Sequence, residues 1–143
     1  MIDAKDAARY VLYFCTEEGM PVNAWQLQKV LYCLQTAFYT AFNAPCFGED
    51  FEAWACGPVV PSVYFAYGTA GASVLTLREA PPEGLFTAEE KKTADAAIRK
   101  AASLRPWHLD RAVRKEGHAW ALTWQDGAGD RTVIPKARIQ TEG

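Results

Sequence analysis

Apolar residues at three-and-four spacing open the chain. Ala7, Tyr10, Val11, Phe14 and Cys15 fall on one side of a helix that Asp3 can cap and that Gly19 and Pro21 bring to an end near Glu18. A second, longer helix has a stronger start: Asn23 as N-cap, Gln26 three residues on to reach back, and Val22 with Leu27 as a hydrophobic staple. It should run to about Phe42 and stop near Asn43 and Pro45. Leu27, Val30, Leu31, Leu34, Phe38 and Ala41 form its core-facing stripe.

A further stripe on the same helix differs in character. Gln28, Tyr32, Gln35 and Tyr39 recur at helical spacing and combine contact area with hydrogen-bonding groups, the mixture found on binding surfaces. Equally, they fit a central helix whose tyrosines pack inside with satisfied hydroxyls. Periodicity leaves both readings open.

Beyond Pro45 the pattern shortens. Turn formers between aromatic pieces from Cys46 to Trp54 predict a small hairpin or a pair of extended segments, and Gly57-Pro58 forces an extended step before Pro61, which suits the first turn of a third helix, Ser62 to Tyr67. Residues 72–86, with Pro81, Pro82 and Gly84, form a connector too short to separate two domains. Thr87 and Glu90 make a capping box for a fourth helix to about Leu104. Pro106 opens a fifth, through about Lys115 and closed by Gly117. Ala121 to Trp124 and Thr132 to Ile134, separated by Gly127 and Gly129, read as a terminal hairpin or an ordered loop. The expected fold is mainly α: residues 1–143 as a single compact bundle of about five helices, a small β-hairpin between helices 2 and 3, and a C-terminal hairpin as an option.

Composition fits this picture. Half the 143 residues are hydrophobic and 13% are aromatic, enough for a genuine core. The charged start lacks a signal peptide's apolar run, and no stretch approaches the roughly 18 apolar residues of a membrane span, so a soluble, cytoplasmic protein without membrane partners is expected. Net charge is only −2, which argues against sequence-independent nucleic-acid binding. Its distribution is polar: residues 1–86 hold 4 Lys/Arg against 9 Asp/Glu, and residues 87–143 hold 11 against 8. An acidic front half suits a basic protein surface, although scattered solvating charges give the same count.

Candidate chemistry is sparse. Cys15, Cys33, Cys46 and Cys56 form no C-x-x-C pair and read as reduced core thiols. A zinc site from Cys46, Cys56, His108 and His118 lacks ligand-knuckle spacing. No nucleophile elbow or phosphate-cradling glycine loop appears, and Glu49, Asp50 and Glu52 sit in a turn context that suits solubility. No catalytic residue, cofactor or metal is expected. The competing class is a small hydrolase using Cys56 or His118.

The run Leu27-Gln28-Lys29-Val30-Leu31-Tyr32 with Gln35, then Phe47, Phe51-Glu52-Ala53-Trp54, Gly57-Pro58-Val59-Val60-Pro61 and Val63-Tyr64, resembles the Panacea domain of the SocA-like antitoxin family, also met as phage-associated proteins. Glu116-Gly117, Trp120 and Ile134-Pro135 look like its weaker C-terminal elements. Val113 and Arg114 depart from the Thr-His often found before Glu-Gly, and the ending after Ile139 is short.

The resemblance implies an antitoxin that binds and neutralises a toxin encoded beside it, in a bacterial or phage toxin-antitoxin system, with different members facing unrelated toxins. It also implies a second route, in which a protease is a further partner and the domain is the adaptor delivering the toxin. A phage-borne regulator of a host protein is the remaining alternative. Nucleic acid is not an expected partner, because no helix-turn-helix is clear and the basic residues are spread from Lys91 to Arg138. On this reading Gln28, Tyr32, Gln35, Tyr39, Tyr64 and Tyr67 are the candidate partner-binding anchors. Leu27, Leu31, Trp54, Gly57 and Pro58 are assigned to structure.

Overall fold

Two capping boxes set the frame of the computed structural model, which describes residues 1–142. Asn23 and Gln26 exchange side chain to backbone hydrogen bonds at the start of α2 (Ala24–Phe42), and Thr87 and Glu90 do the same for α4 (Ala88–Ser103). Each box satisfies backbone donors that a helix start leaves orphaned. Asp3 caps α1 (Ala4–Glu17), and Asn43 ends α2 in the left-handed conformation. These two long helices and α1 pack on one another, with α2 central and α2 against α4 the most extensive pairing.

A hairpin does form between helices 2 and 3, but later than the Cys46 to Trp54 stretch in which it was expected, because Gly57-Pro58 supplies its second strand. β1 (Glu52–Trp54) pairs antiparallel with β2 (Gly57–Val59) in the register Glu52 to Val59, Ala53 to Pro58 and Trp54 to Gly57, leaving Ala55 and Cys56 as the turn. Gly57 has φ +124°. A Cβ there would meet only ordinary contacts, 3.7 Å to Arg114 Cγ and 3.9 Å to Lys29 Cε, so the backbone angle rather than crowding demands glycine. α3 (Pro61–Tyr67) starts on Pro61 and runs into a 3₁₀ turn at Gly68–Ala70.

α5 (Pro106–Val113) also opens on proline. Beyond it the structure corrects the hairpin option. Ala119–Trp124 is a helix, α6, and Lys136–Gln140 is another, α7, so seven α-helices lie among the described residues. Thr132 and Val133 are extended but pair across to β1: Ala53 N–H donates to Thr132 O at 2.9 Å, Ile134 N–H to Phe51 O at 2.8 Å, and Glu52 bridges Val133. The tail therefore extends the first hairpin's edge instead of folding on itself. One hydrophobic cluster unites the elements, from Ala4 and Val11 through Leu27, Leu31 and Phe51 to Ile98, Ile134 and Ile139. No helix among the described residues is long and apolar enough to cross a membrane.

Candidate partner-binding face

The amphipathic stripe of α2 turns inward. Gln28, Tyr32, Gln35 and Tyr39 are all buried, which corrects the expectation that they form an exposed contact surface. The cause is the loop from Cys46 to Val60, whose backbone needs partners where it crosses the helix. Gln35 Oε1 accepts from Cys46 N–H at 2.8 Å and Phe47 N–H at 3.2 Å, and its Nε2 donates to Phe47 O at 2.9 Å. Gln28 repeats the pattern about two turns away: Oε1 accepts from Val60 N–H at 2.9 Å and Nε2 donates to Val60 O at 3.3 Å. Each carboxamide stands in for a strand partner and offsets the penalty of burying unpaired backbone.

The two tyrosines are closed over by other parts of the chain. Tyr32 donates its hydroxyl to Glu142 Oε2 at 2.8 Å, and burial with that carboxylate drives its pKa far above the ordinary range. Tyr39 is raised by burial, with Lys136 opposing and Asp50 adding to the shift. Leu27 and Leu31 are fully buried, and Trp54, Gly57 and Pro58 are buried in the hairpin. Tyr67 is half-buried and packs on the core cluster. Tyr64 alone of the six anchor candidates lies in a cluster of aromatic rings that reaches the surface, between the buried Trp54 and the exposed Trp25 and Phe65.

Those rings come from three elements. Tyr64 sits 4.8 Å from Trp54, 5.8 Å from Trp25 and 5.7 Å from Phe65 between ring centroids. Phe65 is 78% exposed and Trp25 36%, unusual for groups of this size. Trp54 anchors the face from below: its Nε1 donates to Glu52 Oε1 at 2.9 Å, and its carbonyl accepts from Trp120 Nε1 at 2.8 Å. Arg131 lies over the Trp54 ring, 4.2 Å from its centroid, held there by a left-handed backbone at φ 59°. Tyr64 in turn covers Gly68, where a Cβ would come within 3.0 Å of the ring.

Trp25, Phe65 and Arg131 escaped the sequence reading. Trp25 follows the Asn23 cap off the apolar stripe, which was a usable signal; the outward direction of Phe65 in a seven-residue helix was not. The resulting surface has the composition of an interface hot spot, Trp, Tyr, Phe and Arg around a packed centre.

Groups that a catalytic reading would need are otherwise engaged. Burial pushes the Cys15 and Cys33 thiols up to about 11 and Cys46 to about 12, and raises Cys56, so all four stay protonated near neutrality, the opposite of an activated nucleophile. Glu49 Oε2 accepts from Ala4 N–H at 2.8 Å at the start of α1, Asp50 pairs with Lys136, and Glu52 holds Trp54. His118 Nδ1 lies 3.2 Å from Glu142 Oε1. Among the described residues no group of three or more His, Cys, Asp or Glu is placed to hold a metal ion.

The profile of the antitoxin SocA-like family, Panacea domain, matches residues 27–121 of this chain. Antitoxin SocA of Caulobacter vibrioides (strain NA1000 / CB15N) is 33% identical over 70 residues, 49% of this chain and 37% of that protein. The match thus spans little more than a third of the relative's length. No solved structure matches the chain.

Proposed function

The chain belongs to the antitoxin SocA-like family with its Panacea domain, and from that premise we propose that it binds and neutralises a protein toxin encoded beside it. The family match across residues 27–121 carries this reading. It is supported by the exposed rings of Trp25 and Phe65, which flank Tyr64 on a base of buried Trp54. Occlusion of a toxin requires contact area, on the order of 1,600 Å² in total, and a few anchors rather than a catalytic group. Trp25, Tyr64 and Phe65 would supply the anchors, with Arg131 and Trp54 as their fixed base.

The test is co-expression. Each reading frame adjacent to this one is expressed alone and together with the chain, and growth and complex formation are measured. One neighbour should arrest growth, and the chain should restore it through a complex isolable at micromolar concentration. If no neighbour is toxic, or rescue occurs without a complex, the antitoxin reading is wrong. A Trp25→Ala, Phe65→Ala double variant should fold normally and lose most of the rescue. Full rescue by that variant would move the contact to another face.

A further inference from the structure

A second surface lies about 18 Å along α2 from Trp25, judged from the twelve residues to Ala37 at the helical rise. There α2, α4 and α5 leave a groove of about 340 Å³, open to solvent on one side. Ala37, Ala97, Ala101 and Ala112 line it, and four methyl groups cannot fill the seam between three helices. Leu104 forms one wall and remains 36% exposed, and Trp107, three residues on, is 55% exposed. The volume is at the lower limit for pockets that engulf a small molecule, and it suits one or two apolar side chains presented by a protein segment.

Charge selects among such segments. From Arg99 to Lys115 the chain carries six Lys/Arg and a single acid, Asp110, within a protein of net charge −2. Arg99 is paired with Glu18, and Asp110 is shared between Lys29 at 3.8 Å and Arg114 at 3.6 Å. Lys100 lines the groove, and neither it nor Arg105, Arg111 and Lys115, which follow it in the chain, has an ion-pair partner among the described residues, although Arg105 lies over the Trp107 ring. The one carboxylate lining the groove, Glu142, is already engaged by Tyr32 Oη, by Ala119 N–H at 2.6 Å and by His118. Those hydrogen bonds leave Glu142 its negative charge, so in the lining Lys100 and Glu142 balance, and the positive excess comes from the stretch Arg99 to Lys115, which supplies the end of α4 and all of α5.

We infer that this groove docks an acidic amphipathic segment of a partner protein, its apolar side chains seated on the alanine floor and its carboxylates facing Lys100 and Arg105. The site is separate from the aromatic face, so the inference stands or falls independently of toxin binding. It also gives the basic C-terminal half a defined role, in place of diffuse solvation.

Fluorescence anisotropy on the full chain tests it with three labelled sixteen-residue helical peptides: Leu and Phe at i, i+4 spacing on a Glu background, the same apolar face on a Lys background, and the Glu background with Ser in place of Leu and Phe. The first should bind, and both others should bind at least about tenfold more weakly, because each keeps only one of the two terms. Ala97→Phe, which fills the groove, and the pair Lys100→Glu with Arg105→Glu should each weaken the first peptide by about tenfold or more. Trp25→Ala with Phe65→Ala should leave it unchanged. Thermal melts by circular dichroism establish that every variant is folded. Equal affinity for the Lys peptide, no binding of the Glu peptide at millimolar concentration, or binding insensitive to Ala97→Phe would overturn the inference. So would sedimentation showing that the wild-type chain self-associates through the groove and that Ala97→Phe is monomeric.

Discussion

Replacing Gln35 with Leu separates an architectural role from a recognition role on the same helix face. Gln35 is 1% exposed, and its carboxamide makes three hydrogen bonds to the loop at Cys46 and Phe47. Leucine has similar bulk but no polar atom, so the substitution leaves two N–H groups and one carbonyl facing an apolar side chain. Stranding a buried polar group costs about 1–3 kcal/mol. One of the three bonds, at 3.2 Å to Phe47 N–H, shares its acceptor with Cys46 N–H and counts for less. The expected loss is about 3–6 kcal/mol, at least about a fifth of the roughly 5–15 kcal/mol by which a domain of this kind is stable.

Urea unfolding followed by circular dichroism measures it. A clear fall in midpoint at unchanged slope is the expected result, with unfolding exposing the same surface. Were the stripe instead an exposed recognition surface, Gln35→Leu would move the midpoint little and cut partner binding. A loss below about 1 kcal/mol would therefore refute the carboxamide's role in holding the loop.

Three further outcomes follow from particular contacts. Gly68→Ala has an acceptable backbone angle, φ −61°, but places a Cβ 3.0 Å from the Tyr64 ring, so the ring must tilt; tryptophan fluorescence from Trp54 and Trp25 should shift at a stability cost of about 1 kcal/mol, and an unchanged spectrum counts against the packing described. Glu142→Ala and Tyr32→Phe should be coupled by about 0.5–3 kcal/mol in a double-mutant cycle, since the Tyr32 hydroxyl donates to that carboxylate, and additivity would break the link. The buried thiols set an alkaline limit. Their folded pKa values lie above the ordinary value of 9.0, so their contribution is complete below about pH 9 and is lost as pH climbs toward 11 to 12, while the lowered Lys29 works in the opposite sense. Between about pH 8 and about pH 10.5 each of Cys15 and Cys46 should remove about 2 kcal/mol, and Cys46→Ala should take that amount off the fall. An unchanged fall in that variant argues against the assignment.

Local signals carried most of the architecture. Asn23 with Gln26 and Thr87 with Glu90 announced two helices because a capping box is complete within four residues, and Pro61 and Pro106 announced two more. α6 and α7 were missed for a matching reason. Neither has a side-chain cap of its own: the donor Ala119 N–H at the head of α6 is satisfied by Glu142, 23 residues on. Gln125, Asp126 and Arg131 take left-handed backbone without being glycine, which no local pattern signals. The aromatic face was invisible for a further reason. Whether Phe65 points out or in depends on what packs beside a two-turn helix, and that is decided by α1 and α2, far away in sequence.

The inward stripe bears on how one fold could serve different partners. A recognition motif on an exposed face must change when its partner changes. Here the polar residues that define the Leu27 to Gln35 motif are committed to the chain's own backbone at Cys46, Phe47 and Val60, so altering them costs the fold before it alters a contact. Trp25 and Phe65 have no such obligation, and nor do Lys100 and Arg105. Their side chains reach solvent, Trp25, Phe65 and Lys100 from helices and Arg105 from the residue that precedes α5, where substitution is cheap for stability and decisive for what can bind. On the proposed reading the motif fixes a scaffold and recognition lies in the residues between and beside its letters. A swap of those exposed residues between two members of the family should transfer partner preference, and a swap of Gln28 and Gln35 should not.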